Sequence, residues 1–254
     1  MHKRRETPGV NPRGQGLIEY ALIAVLVSVI VVSALNILGV DVGDMFADLG
    51  AVISGEQAGG IFDGGDAEPV TLFSDDFSTD QGFWNSIKQG FFNGKWKVKD
   101  GKLEARHLSL ALLDEFSGED FRLTVGSPTL NNFRGYYEGF GVMFRTESEE
   151  RLNGYMFEVE RVNRNDPGLM YFSQWVNGYQ VVPPISSVPV PQDFNWENPG
   201  DFTIEVSGDT FTAYLDGEEI LQGSDSLYTE GTVGVVTNYG TKAEIDSVTI
   251  ESFP

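Results

Sequence analysis

Near the start of the chain the polar and apolar positions separate into blocks. Leu17 to Leu38 is almost wholly apolar, with Glu19 its only charged residue. As an α-helix rising about 1.5 Å per residue the run measures roughly 33 Å, enough to span a membrane. Gly39 and Gly43 interrupt it. Asp41 is placed to cap a second stretch in which Val42, Met45, Phe46, Leu49 and Ile53 recur at helical spacing, so a bent helix is expected as far as Ile53. Residues 1–14, broken by Pro8 and Pro12, read as a polar leader, and residues 54–70, rich in glycine and carboxylates, as a flexible linker. From Thr71 the period changes to two. Phe121, Leu123 and Val125 alternate with polar residues, as do Phe140, Val142 and Phe144, then Tyr155, Phe157 and Val159, then Phe202, Ile204 and Val206. Turn signals such as Lys99-Asp100-Gly101, Asn153-Gly154, Asp166-Pro167-Gly168, Asn177-Gly178 and Asp216-Gly217 separate these runs. The pattern predicts a long N-terminal hydrophobic α-helix followed, over residues 71–254, by about a dozen short strands in an all-β antiparallel sandwich or jelly roll.

Charge adds direction to this division. Lys3, Arg4, Arg5 and Arg13 crowd the leader, and no Lys or Arg follows until Lys88. By the positive-inside rule the leader stays in the cytoplasm and everything after the apolar run lies outside. The net charge of -21 speaks against nucleic acid as a partner, because phosphate binding needs a basic surface. The absence of cysteine excludes disulfides, thiolate metal sites and thiol catalysis.

The segment Gly14-Gln15-Gly16-Leu17-Ile18-Glu19-Tyr20-Ala21-Leu22-Ile23 closes the basic leader and opens the apolar helix. It resembles the type IVb pilins of the Flp, or tight-adherence, class, from which the chain departs by its large C-terminal domain. The resemblance implies cleavage between Gly14 and Gln15 by a prepilin peptidase. It further implies passage from the inner or cytoplasmic membrane, through pilus assembly machinery, into an extracellular helical homopolymer built by residues 15–53. Glu19 and Tyr20 become the fifth and sixth mature residues. A carboxylate at the head of an apolar helix is costly in lipid or in a dry filament core unless it is paired. Cleavage supplies a partner, the new ammonium of Gln15, so Gln15, Glu19 and Tyr20 are the candidate assembly residues. The alternatives are a plain membrane anchor and a cleaved secretory signal, although a secretory signal is cut after its apolar core and here the junction precedes it.

Further along, Phe73-Ser74-Asp75-Asp76-Phe77-Ser78, Gly94-Lys95-Trp96-Lys97-Val98, Asp100-Gly101-Lys102-Leu103, Gly231-Thr232-Val233-Gly234-Val235 and Ile245-Asp246-Ser247-Val248 resemble the concanavalin A-like lectin/glucanase superfamily, in its laminin-G-like branch. The resemblance implies a jelly roll over residues 71–254. Glycosidases of this fold need paired carboxylates on one strand, typically Glu-x-Asp-x-x-Glu. The nearest approach, Glu244-Ile245-Asp246-Ser247-Val248-Thr249, lacks the second Glu, and the chain is therefore expected not to be an enzyme. His107, beside Arg106, reads as a strand-end surface residue. No cofactor is required. Folds of this kind often join their first and last strands through a structural calcium ion, for which Asp75, Asp76 and Asp246 are candidate ligands, with turn-capping and surface charge as the competing and favoured reading. Tyr136, Tyr137, Tyr171, Trp175, Tyr179 and Trp196 are candidates for a surface that stacks on sugar rings, against the plainer reading of strand aromatics as core or rim. The function expected from the sequence is a structural pilus subunit displaying a β-sandwich for adhesion or surface interaction. The alternative is a membrane-anchored carbohydrate-binding module that does not polymerise.

Overall fold

The computed structural model describes residues 69–131, 137–147 and 151–252. The leader, the apolar helix and the linker as far as residue 68 lie outside the described residues, and so does Tyr136. Among the described residues eighteen strands are formed, more than the dozen expected, because several long alternating runs are accompanied by short strands of two to four residues. In chain order they are β1 (Thr71–Asp75), β2 (Trp84–Ile87), β3 (Lys97–Lys99), β4 (Lys102–Arg106), β5 (Ser109–Leu113), β6 (Phe121–Gly126), β7 (Thr129–Asn131), β8 (Glu138–Glu147) and β9 (Asn153–Arg161). There follow β10 (Leu169–Val176), β11 (Tyr179–Gln180), β12 (Ser186–Pro189), β13 (Phe202–Ser207), β14 (Thr210–Leu215), β15 (Glu218–Ser224), β16 (Thr232–Thr237), β17 (Lys242–Ile245) and β18 (Ser247–Glu251). Every pairing among them is antiparallel.

Two sheets face each other. One has six strands in the order β1-β18-β6-β13-β14-β15, the other eight, ordered β11-β10-β9-β8-β16-β5-β2 with β12 added beside β10. A four-stranded sheet, β3-β4-β17-β7, completes the domain. The first and last strands are neighbours, Asp75 opposite Val248, so the sandwich closes on its own termini.

The alternating runs supply the core. Phe121, Leu123, Val125, Phe202, Ile204 and Val206 from the six-stranded sheet meet Phe140, Val142, Phe144, Tyr155, Phe157 and Val159 from the eight-stranded one, all fully or almost fully buried. Phe211 seals the contact: its ring centroid lies 5.0 Å from that of Phe144 and 4.7 Å from that of Tyr155. Burying twelve such side chains, each stabilising by about 1.5–3 kcal/mol, accounts for the dominance of period two in the sequence.

The eight-stranded sheet departs from simple alternation because its outer face is covered too. Leu110, Leu112, Met143, Met156, Trp175 and Val236 form a second buried cluster there, capped by Phe92 from the β2–β3 connection. All five residues of β5 are buried as a result. Within this outer face, β8 presents Gly139 and Gly141, which lie opposite Glu160 and Glu158 of β9. On the other side of β8, Gly141 lies opposite Val236 of β16. Where neighbouring strands offer side chains β8 offers none, and a hollow opens between β9 and the end of β16.

Candidate functional site

That hollow is a cleft of about 470 Å³. Its floor comes from β9, which directs Tyr155, Phe157 and Val159 into the core and therefore turns Met156, Glu158 and Glu160 outward. Tyr171 of β10 is the cross-strand neighbour of Glu158. Asn238, just beyond β16, continues the outward phase of Gly234 and Val236 and reaches over the glycines of β8. Its backbone is fixed by donation of the Asn238 N–H to the Gly139 carbonyl at 3.1 Å, while the Gly139 N–H donates to Thr241 Oγ1 at 2.9 Å.

The polar groups form one directed chain. Gln180 Nε2 donates to Ser173 Oγ at 3.1 Å and to Tyr171 Oη at 3.4 Å. The Tyr171 hydroxyl donates to Glu158 Oε2 at 2.7 Å. Asn238 Nδ2 donates both to Glu158 Oε1 and, at 3.4 Å, to Glu160 Oε2. One amide nitrogen thus serves two carboxyl groups and holds them side by side. Gln180 reaches its place through the tight hairpin at Asn177-Gly178, where both residues have positive φ, 54° and 83°, as a two-residue primed turn requires.

Glu158 is almost completely buried and Glu160 partly so. Loss of water around the charge, reinforced by the neighbouring Glu160, pushes the Glu158 carboxyl up to about 7 against the hydrogen bonds from Asn238 and Tyr171. Burial likewise raises Glu160, with Asp166 adding repulsion. The Tyr171 phenol is raised by burial and by both carboxylates, so it remains a donor. Chemically the floor is a carboxyl pair in a restricted, largely apolar setting, one member holding its proton near neutrality.

Around this floor stand aromatic rings. Trp175 lies in the cleft, packed on Phe92 at 5.6 Å between centroids, and Tyr137, Tyr239 and Phe91 border it. Phe91 also lines an adjoining depression of about 430 Å³ shared with Tyr179, Arg151 and Asn177. Among the described residues the exposed phenylalanine and tyrosine side chains are Phe91, Tyr137, Tyr179 and Tyr239, all four border these two hollows, and no tryptophan is exposed.

Of the six aromatics singled out in the sequence, the structure brings Tyr137 and Trp175 to the cleft and Tyr179 to the adjoining depression, while Tyr171 is buried beside the cleft with its hydroxyl on Glu158. Trp196 stands apart: the Arg161 guanidinium covers its ring at 4.4 Å and Phe194 meets its edge. The three aspartates weighed as calcium ligands are used within the protein. Asp75 accepts from the Phe77 N–H at 2.9 Å and the Trp84 indole at 3.1 Å, Asp76 from the Ser78 N–H at 3.0 Å, and Asp246 pairs with Lys102 at 2.6 Å. Among the described residues no group of three or more His, Asp or Glu is disposed to hold a metal ion. His107 is an exposed strand-end residue whose Nδ1 lies 2.8 Å from the Tyr239 carbonyl. Sequence reasoning passed over Glu158, Glu160 and Asn238, although Glu158-Val159-Glu160 and Gly139-Phe140-Gly141 occupy the polar phase of two recognised strands and marked the place.

No protein-family model and no curated protein sequence matches the chain. Solved structures do. The carbohydrate-binding module CBM66 from Bacillus subtilis is 26% identical, covering 67% of this chain and 96% of its own, with a TM-score of 0.52. The endo-β-1,3-glucanase from Pyrococcus furiosus is 13% identical over 73% of this chain and 95% of its own, with a TM-score of 0.54. The κ-carrageenase from Pseudoalteromonas carrageenovora, solved with an oligotetrasaccharide of κ-carrageenan, is 14% identical over 76% and 98%, with a TM-score of 0.52. The chain thus carries a concanavalin-like jelly-roll sandwich of the kind shared by carbohydrate-binding modules and glycosidases. These likenesses correct the expectation that the chain is not an enzyme: catalytic domains share its fold. That expectation rested on the strand around Glu244 and Asp246, whereas the closely paired carboxyl groups lie on β9.

Proposed function

We propose that the β-sandwich binds glycans in the cleft between β9 and the end of β16 and is displayed on a pilin-type stem. The observation that carries the binding reading is the convergence of three exposed aromatics, Phe91, Tyr137 and Tyr239, on one polar-floored hollow, with Tyr179 in the depression beside it, since exposed rings around a few fixed polar groups suit the alternating apolar faces and hydroxyls of a sugar. The 26% identity with a carbohydrate-binding module supports it. Glycan-array binding by the full-length protein, compared with its Tyr239→Ala variant, tests it. Losing one exposed ring, worth about 0.5–1.5 kcal/mol, should weaken binding roughly three- to tenfold. An array on which no glycan is retained would refute the reading.

The carboxyl pair favours a second reading of the same cleft, glycoside hydrolysis, because acid catalysis needs one carboxyl group protonated near neutrality beside an ionised partner. Release of reducing ends from glycans that the protein retains, abolished in Glu160→Gln, is its test.

The stem rests on the leader closed by Gly14, the apolar helix that follows, and Glu19 at its head. In this reading the precursor sits in the membrane, a prepilin peptidase exposes Gln15, and the mature chain polymerises outside the cell. N-terminal peptide mapping of the surface-borne protein should begin at Gln15, and recovery with Met1 intact would leave a membrane-anchored module in its place.

A further inference from the structure

The polar floor of the cleft is not neutral about what it accepts. Its fixed donors are consumed inside the protein: Gln180 donates to Tyr171 and Ser173, Tyr171 to Glu158, and Asn238 to both carboxyl groups. Both oxygens of Glu158 are engaged and the group is almost completely buried, while Glu160, only partly buried, accepts the long contact from Asn238 and a share of the Tyr171 hydroxyl, which leaves lone pairs open to the cleft. Glu160 is therefore the group with acceptor capacity to spare. A second unmet need lies at the Trp175 end. Trp175 is only 7% exposed, its ring lines the cleft, and its indole Nε1–H has no hydrogen-bond partner in the protein. A buried donor left unmet costs about 1–3 kcal/mol, which a ligand acceptor can relieve.

One chemical group answers both needs, because a hydroxyl donates to Glu160 and accepts from an indole N–H. A sulfate or carboxylate only accepts and would face Glu160 with like charge. An ammonium only donates. None of the described residues lining the cleft is Lys or Arg; Arg151 lines the adjoining depression beyond Phe91. Asp166, which acts on Glu160 from the β9–β10 turn, adds further negative charge. The two ends are also well separated. Glu160 lies opposite Leu169, and Trp175 lies farther along the same strand, about 20 Å away at roughly 3.3 Å per residue. That span exceeds one sugar ring.

Resting on the glycan-binding reading above, we infer that the cleft takes a neutral oligosaccharide whose hydroxyls donate to Glu160 at one end and accept from the Trp175 indole at the other, and that it rejects sulfated and uronate chains. Glu160 is then the residue that sets specificity.

The test uses the full-length protein on a panel of oligosaccharides and their monosaccharides, with matched neutral, amino, sulfated and uronate members. Desulfated κ-carrageenan fragments beside the sulfated originals, and laminari-oligosaccharides, belong to it. Retention should be confined to neutral chains and should be stronger for oligomers than for single sugars. Glu160→Gln, which preserves shape and removes the charge, should weaken the best neutral ligand at least about tenfold. Trp175→Phe, which keeps a ring and removes the N–H, should weaken it several-fold. Melting temperatures of both variants show whether the fold is intact. Stronger retention of an anionic or amino-sugar chain, or wild-type affinity in Glu160→Gln, overturns the inference and leaves glycan binding standing. Retention of no glycan overturns both.

Discussion

Glu158→Gln should make the protein more stable at neutral and alkaline pH, and the size of the gain follows from the burial of one carboxyl group. In the unfolded chain Glu158 titrates at its ordinary value of 4.5, whereas in the fold it is raised to about 7. Below pH 4.5 both states hold the proton and the group is indifferent to folding. Between 4.5 and 7 the folded protein keeps a proton that the unfolded chain has released, so stability falls as pH rises; above about 7 both are ionised and the full cost remains. At 1.36 kcal/mol per unit the loss amounts to about 3 kcal/mol. Glutamine imitates the protonated acid, since its carbonyl still accepts a hydrogen bond. The variant should match the wild type near pH 4 and exceed it by about 3 kcal/mol at pH 8, roughly 6–12 °C in Tm for a domain of this size. Glu160, coupled to Glu158, is relieved of that charge in the variant and contributes in the same direction, whereas carboxylates outside the pair cancel in the comparison. Glu104, lowered mainly by its hydrogen bond from Lys97, and Asp166, lowered by the N–H groups of Val162 and Gly168, stabilise above the ordinary range, lose that contribution as pH falls, and do so equally in both proteins. Denaturant titrations at half-unit pH steps measure the difference curve. A difference that stays flat from pH 4 to 8 would refute the assignment of a costly buried charge to Glu158.

Gly139→Ala should damage both fold and cleft, because a Cβ at Gly139 would press into the Val159 carbonyl and lie 2.9 Å from Glu160 Cα. An overpacking loss of about 1–3 kcal/mol, together with weakened glycan binding, is expected from denaturation and array measurements, and wild-type values for both would show that β8 need not be bare there. Glu19→Ala should leave the β-sandwich folded and the apolar segment able to enter a membrane while filament formation fails. In the proposed polymer each interface then buries a Gln15 ammonium without its partner, a loss of about 3–5 kcal/mol. The ratio of sheared filament to membrane-bound subunit reads this out, and wild-type yield would make the plain anchor the better account of the stem.

How far the sequence foretold the domain depends on which face of a strand is considered. The inward phase was legible: Phe121, Leu123 and Val125, and the runs at 140–144, 155–159 and 202–206, all lie in the core, because period two with one apolar face has few other solutions. The outward phase was not. On a sheet wetted on one side, Met156, Glu158 and Glu160 are ordinary surface residues, and nothing local to β9 shows that the Phe91–Phe92 connection covers them. The continuous apolar run Leu110-Ala111-Leu112-Leu113 was the clue that this sheet is buried on both faces. Aromatic type was similarly ambiguous. Trp175 and Trp196 look alike in sequence, and only the fold shows that Trp175 lies nearly buried in the cleft while Trp196 stays partly exposed away from it, its ring covered by Arg161.

The cleft itself is made by absence, which explains why a search for catalytic or ligating residues missed it. Asn238 and Glu158 are eighty residues apart in sequence, one just beyond β16 and the other on β9, strands that are not neighbours in the sheet. They meet because the intervening strand places glycine opposite each carboxyl group. Side chains at residues 139 and 141 would fill the hollow and separate Asn238 from its partners, and Glu158 would then be a buried carboxylate with only the Tyr171 hydroxyl to meet it. A charge that costs about 3 kcal/mol in the fold is tolerable where it organises a site, and glycines that leave a strand bare are tolerable for the same reason. Both departures from good packing fall on the same square of the sheet, Gly139, Gly141, Glu158 and Glu160, and their coincidence supports the proposed face independently of any resemblance to other proteins.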